Sequence, residues 1–293
     1  MFTFESEVGR LESLGASPRA RDEALLAAGI PALFKRISRQ APAGADVLVR
    51  RLEALQAAQV AREDERHRPS RALIRSGGLR GAQLLELLAS QPPDQRDLFC
   101  EQLLGVAHAP LVAPELAGDL IDYHPSGVDP IVRAVLEVPL TPDDVLVDLG
   151  AGLGKVVMLA NLLSGAPARG LEVQPELVAA ARERAEALAL TGVRFEAADV
   201  RAADLSGGSV FFLYLPFVGA ALERAMRTLY GVASHKAIVL CALGVDLARF
   251  EWLVPREPSS FWLSVYDSRV QGVRARPPPV QSSLWKFAQA LLG

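Results

Sequence analysis

Apolar positions along the chain follow two rhythms. Through about residue 118 they recur every three to four residues, the spacing that puts them on one face of a helix, and no convincing strand is found. The pattern predicts helices over Arg19–Ala28, Pro31–Arg39, Asp46–Glu65 (Leu48, Leu52 and Leu55 on one face), Leu79–Leu88 and Asp94–Leu104. Proline and glycine punctuate them at Pro31, Pro42, Gly44, Gly77-Gly78 and Pro92-Pro93. A short helix, Pro130–Leu136, then leads into a second rhythm, in which short continuous apolar runs alternate with helical spacing. The runs at Val145–Leu149, Ala168–Val173, from Val193, Val210–Tyr214 and Lys236–Leu243 predict strands. Between them Lys155–Ser164, Pro175–Leu190 and Leu222–Leu229 predict helices; the second has proline at its first position and Gly192 just past its end. This alternation implies a parallel sheet with a ligand at the carboxyl ends of its strands.

After the fifth strand, Phe250–Val254 and Phe261–Tyr266 predict an antiparallel hairpin whose turn, with Arg256, Ser259 and Ser260, faces the ligand side and shapes a substrate pocket. Arg274–Pro279 is a linker, and Ser283–Leu292 places Leu284, Phe287 and Leu291 at the spacing of a helix docked on the core. The reading by segments is therefore a helical region, 1–118, serving as lid, substrate selector or dimerisation surface; a ligand-binding domain, 119–273; and a linker with a docking helix, 274–293.

The chemistry concentrates in Val147-Asp148-Leu149-Gly150-Ala151-Gly152-Leu153-Gly154-Lys155: a buried strand, a turn on three alternating glycines, and a helix start whose N–H groups are free for a ligand. A dinucleotide fingerprint G-x-G-x-x-G needs glycine at 155, where Lys155 stands, and a phosphate-binding P-loop needs Ser or Thr after Gly154-Lys155, where Val156 stands. Downstream, the second strand ends on Glu172, 18 residues after Gly154; the third leads to Asp199 and Val200; the fourth ends at Tyr214, followed by Leu215-Pro216-Phe217.

Acidic-x-Gly-x-Gly-x-Gly with these strand-end residues resembles the class I S-adenosylmethionine-dependent methyltransferases. The resemblance implies a Rossmann-like, doubly wound, mostly parallel seven-strand sheet closed by an antiparallel hairpin, with S-adenosylmethionine as cofactor. It places Asp148, Gly150, Gly152 and Gly154 in the cofactor loop, gives Glu172 the ribose hydroxyls, sets Asp199 and Val200 at the adenine, and lines the transferable methyl with Leu215, Pro216 and Phe217. Tyr123-His124-Pro125-Ser126 is similar to the loop that folds over the methionyl part of the cofactor in the seven-strand histone-lysine methyltransferases and their bacterial relatives, which makes Tyr123 a cofactor contact. A nucleophile of high pKa needs a base or a hydroxyl partner, for which His124 and Tyr214 are the candidates. The tetrad Tyr214-Leu215-Pro216-Phe217 lacks the Asn or Asp that holds an amino group in nucleobase enzymes, so the expected acceptor is a protein nitrogen or the oxygen or nitrogen of a small molecule. A S-adenosylmethionine-binding regulatory or assembly protein without turnover is the alternative.

Composition narrows this further. Half of the 293 residues are apolar, enough for a substantial core. A net charge of −3 gives no reason to expect nucleic acid as partner. The basic run Arg66-His67-Arg68, Arg71, Arg75 and Arg80 has no aromatic residues interleaved and reads as a solvated, charge-mixed linker. Two cysteines and four scattered histidines offer neither a disulfide framework nor a zinc spacing, and no apolar run reaches membrane length, so a cytoplasmic protein of bacterial composition, without metal, is expected.

Overall fold

The computed structural model describes residues 3–17, 19–111, 125–214, 219–257, 263–277 and 282–292. Its elements in chain order are α1 (Phe4–Gly15), α2 (Ala20–Gln40), α3 (Ala45–Arg75), α4 (Gly81–Ala89), α5 (Arg96–Leu104), α6 (Val128–Glu137), β1 (Leu146–Leu149), α7 (Lys155–Ser164), β2 (Ala168–Glu172), α8 (Pro175–Ala187), β3 (Val193–Ala197), β4 (Val210–Tyr214), α9 (Gly219–Ala233), β5 (Val239–Leu243), β6 (Leu253–Pro255), β7 (Ser264–Ser268) and α10 (Trp285–Leu292).

The expected seven-strand sheet is present, in the order β3-β2-β1-β4-β5-β7-β6. The first five strands are parallel, and β7 runs antiparallel between β5 and β6. β1 lies at the centre, where strand order reverses between β2 and β4, the place at which open α/β sheets leave a crevice for a ligand. The hairpin strands start three residues later and end one to two residues later than the apolar runs alone predict, because the register of β7 is fixed by pairing with β5, where Cys241 lies opposite Val265, and that of β6 by pairing with β7.

Each face of the sheet has its own core. One contains Val147, Leu149, Phe211 and Leu213, covered by α9 through Ala221, Ala225 and Leu229. On the other, Leu146, Phe212 and Cys241 pack under α6, α7 and α8, and this core continues into α4, α5 and the end of α3 through Leu84, Leu88, Leu103 and Ile74. α10 docks here as expected, burying Ala288 and Leu291 and packing on α4 and α6. A third core is confined to α1, α2 and the first half of α3: Val8, Leu11, Leu26, Ile30, Leu33, Ile37, Leu48 and Leu52.

Two readings of the helical region need correction, and one helix precedes those predicted. Residues 4–15 form α1, capped by Thr3, whose hydroxyl accepts from the Ser6 N–H. Pro31 does not divide two helices: α2 runs through it, since Leu26, Ile30, Leu33 and Ile37 bury one continuous stripe that outweighs the lost hydrogen bond. The basic run is not a linker, because α3 continues past Pro69 to Arg75. Two of its cations are used within the fold. Arg66 pairs with the buried Glu23 at 2.6 and 2.9 Å, and Arg71 donates to the last carbonyls of α5, Gln102 O at 2.7 Å and Leu103 O at 3.0 Å. His67 is buried edge-on to Phe99. Among the described residues no helix is long and apolar enough to cross a membrane, and no His/Cys/Asp/Glu group could hold a metal ion.

Candidate cofactor site

β1 is buried along its whole length and hands the chain to the glycine turn at the carboxyl edge of the sheet. Gly150 (φ 103°), Gly152 (φ 52°) and Gly154 (φ 85°) all lie in the left-handed region that side chains avoid. The turn is tied to β2: the N–H groups of Gly150 and Ala151 donate to Leu171 O at 2.9 and 2.8 Å. At Gly154 a Cβ would stand 2.4 Å from the Phe195 ring, so glycine there brings the start of α7 down onto β3.

Glu172, at the end of β2, is buried, and its carboxylate is fixed by two backbone donors: Gly152 N to Oε2 at 3.0 Å and Gln174 N to Oε1 at 2.9 Å. Each oxygen keeps a lone pair, so the group can still accept from two hydroxyls. Asp148 is buried in the middle of β1, opposite Gly170 of β2 and Phe212 of β4, with no hydrogen-bond partner among the described residues. Burial and the nearby Glu172 carboxylate push its carboxyl up to about 8.

That shift sets a pH dependence. An acid whose pKa is raised on folding holds its proton in the native state after the unfolded chain has lost it, so stability falls as pH rises from about 4 toward 8. Asp148→Asn should flatten that slope: between pH 5 and pH 8 the urea midpoint of the variant should fall less than that of the wild type. Equal slopes would show that Asp148 is not held neutral.

β3 ends beside β2, with Ala198 N donating to Glu172 O at 2.9 Å, which brings Asp199 to the same edge. Asp199 is half-exposed and gripped by Arg201, whose Nε lies 2.8 Å from both carboxylate oxygens. This guanidinium holds the Asp199 carboxyl below its usual range. The Val200 side chain is buried in the core with Leu149 and Leu171, so it has only backbone groups to offer a ligand. Tyr214 ends β4, half-buried against the α7-side core. Thus Asp148, the three glycines, Glu172, Asp199 and Tyr214 fall at or just behind the carboxyl edge of β1 to β4. Tyr123, His124, Leu215, Pro216, Phe217, Ser259 and Ser260 lie outside the described residues.

Two participants carry signals that sequence reading passes over. Gln174 contributes a backbone N–H, which no side-chain pattern encodes. Lys155 is a charge in an otherwise apolar run, and in the fold it is buried: its Nζ reaches Glu101 at 2.8 Å and Asp97 at 3.3 Å on α5. Burial alone would lower its pKa, but the two carboxylates and the neighbouring Cys100 more than offset this and hold the ammonium above its ordinary value. Asp97 also accepts from Val128 N at 2.6 Å, so one carboxylate joins α5, the first turn of α6 and the residue after the glycine turn.

These features fit an adenosyl cofactor: a turn in which three alternating positions carry no Cβ, and a fixed strand-end carboxylate. Residues 140–210 match a family model described as a methyltransferase domain. No curated protein matches the chain. Among solved structures, an RNA methyltransferase from Salinibacter ruber in complex with S-adenosyl-L-homocysteine is 24% identical, covers 54% of this chain and 100% of its own, and has a TM-score of 0.42. A precorrin-6y C5,15-methyltransferase from Geobacter metallireducens is 16% identical over 53% of this chain and 94% of its own, with a TM-score of 0.39. A putative S-adenosyl-L-methionine-dependent methyltransferase from Methanococcus maripaludis is 15% identical over 39% of this chain and 54% of its own, with a TM-score of 0.35. The chain's own strand order and glycine turn agree with the matched segment: residues 140–210 are similar to a methyltransferase domain.

Proposed function

We propose that this protein transfers the methyl group of S-adenosylmethionine to a protein nitrogen or to an oxygen or nitrogen of a small molecule, with residues 119–273 as the transfer domain and 1–118 as the part that selects the acceptor. The observation that carries the reading is Glu172, buried at the strand order reversal and pre-set by Gly152 and Gln174 to accept from a ribose. When bound, the cofactor supplies an activated methyl on a sulfonium; the protein contributes position and electrostatics.

Within that division the glycine turn lets the ligand approach the backbone, Asp148 stands ready behind it, and Asp199 offers an acceptor for the adenine amino group on exchange with Arg201. Tyr214 supplies a hydroxyl toward the acceptor and His124 is the candidate base. No Asn or Asp opens the tetrad after β4, which argues against a nucleobase amine. A cytoplasmic location suits the absence of long apolar helices among the described residues.

The test uses S-adenosylmethionine labelled in its methyl group, offered with protein and small-molecule acceptor pools. Label should enter an acceptor and S-adenosylhomocysteine should accumulate in step. Tight cofactor binding with no label moving to any pool would instead mark a binding protein without turnover.

A further inference from the structure

Asp97 joins two helix starts that meet beside the glycine turn. α6 begins at Val128, and its N-cap residue is Gly127, which has no side chain to accept from the free N–H groups of the first turn. The acceptor comes instead from α5, 31 positions earlier: Asp97 Oδ1 takes the Val128 N–H at 2.6 Å. The same oxygen lies 3.3 Å from the Nζ of Lys155, the first residue of α7 after the turn. A single carboxylate oxygen thus sets the spacing between the chain entering α6 and the chain leaving the turn.

Core packing alone does not call for this arrangement. Lys155 is buried, and taking an ammonium out of water costs more than placing an apolar side chain of like size there. What only a donor gives is a fixed point of attachment: Glu101 at 2.8 Å holds the ammonium on α5, and Asp97 passes that hold to Val128. The docking of α5 on α6 also has an ion pair of its own, Arg96 with Asp129 of the first α6 turn at 3.0 Å, which does not involve Lys155.

Strand order fixes which end of the cofactor this spacing concerns. With Glu172 at the end of β2 taking the ribose and Asp199 after β3 taking the adenine, the adenosine half covers β2 and β3. The order β3-β2-β1-β4 leaves the amino-acid half to run over β1 and its glycine turn toward Tyr214. Resting on the methyltransferase reading above, we propose that Asp97 and Lys155 are positioning residues for the amino-acid end of the cofactor. They act through Val128 and the glycine turn, holding residues 125–127 and the turn at the spacing that this end requires.

The experiment is isothermal titration of the full chain with S-adenosylhomocysteine and with 5′-methylthioadenosine, which has the same adenosine and sulfur but a methyl in place of the amino-acid chain. Asp97→Ala should weaken S-adenosylhomocysteine at least about fivefold, the scale of one lost hydrogen bond, and leave methylthioadenosine within about twofold of the wild type. Asp97→Asn keeps Oδ1 as acceptor for both donors and should hold S-adenosylhomocysteine within about twofold of the wild type. Asp129→Ala removes the other pair between α5 and α6 and should leave both ligands unchanged. A merely structural role weakens the two ligands alike. That result, full S-adenosylhomocysteine affinity in Asp97→Ala, an Asp97→Asn as weak as Asp97→Ala, or an equal loss in Asp129→Ala would each overturn the proposal and leave the methyltransferase reading in place. A wild type that binds S-adenosylhomocysteine but not methylthioadenosine would overturn it too, since β2 and β3 would then not hold the adenosine half by themselves. A wild type that binds neither would remove the reading beneath it.

Discussion

Gly154→Ala should cost the fold at least about 2 kcal/mol, far more than a surface substitution. Two effects add at this position. At φ 85° any Cβ strains the backbone, worth about 1 kcal/mol. The new methyl also stands 2.4 and 2.5 Å from two carbons of the Phe195 ring, which is buried and rests on Gly170, so it has little space to retreat; overpacking of this kind costs about 1–3 kcal/mol. Gly165 separates the effects. Its φ is 75° and nothing lies within 4 Å of its Cβ position, so Gly165→Ala should show the strain alone. Urea unfolding of both variants gives the comparison, and equal losses would mean that contact between the turn and β3 contributes nothing.

Glu172→Ala should weaken S-adenosylhomocysteine at least tenfold, about 1.4 kcal/mol. Hydrogen bonds to a charged acceptor are the stronger class, and here the carboxylate is already oriented by Gly152 N and Gln174 N, so binding spends nothing on fixing its rotamer. Removing it also leaves the Gly152 N–H without its partner, loosening the turn that approaches the cofactor. Glu196 is the control: it is a nearby carboxylate on β3, but it is half-exposed and paired with Arg169 at 2.7 Å, facing away from that work. Glu196→Ala should leave cofactor affinity unchanged. Similar losses in both variants would point to general acidity of the edge and not to a ribose acceptor.

Parts of the fold and site that depend on neighbours in sequence are legible in it. Val145 to Val157 encodes strand, turn and helix by itself, because a central parallel strand is apolar throughout and only glycine follows its turn. Glu172 and Asp199 are visible as strand-end acids for the same reason. What depends on distant partners is hidden. The carboxylates that allow Lys155 to be buried stand 54 and 58 positions earlier, and those pairings exist only once α5 packs on α7. Arg-His-Arg-Pro looks like a break after Glu65, yet Glu23, the α5 carbonyls and Phe99 give that segment a reason to stay helical. Likewise Asp199 reads as a free acceptor, while in the fold Arg201 holds it, a pairing at short range that residue type alone does not announce.

The most direct test of the central claim is isothermal titration of wild-type protein, stripped of copurified ligand, with S-adenosylmethionine and S-adenosylhomocysteine. The glycine turn and Glu172 predict one site per chain for each compound, with binding weakened at least tenfold in Glu172→Ala. Absence of binding by both compounds to folded wild-type protein would contradict the assignment of the turn and, with it, every functional role given to the residues around it.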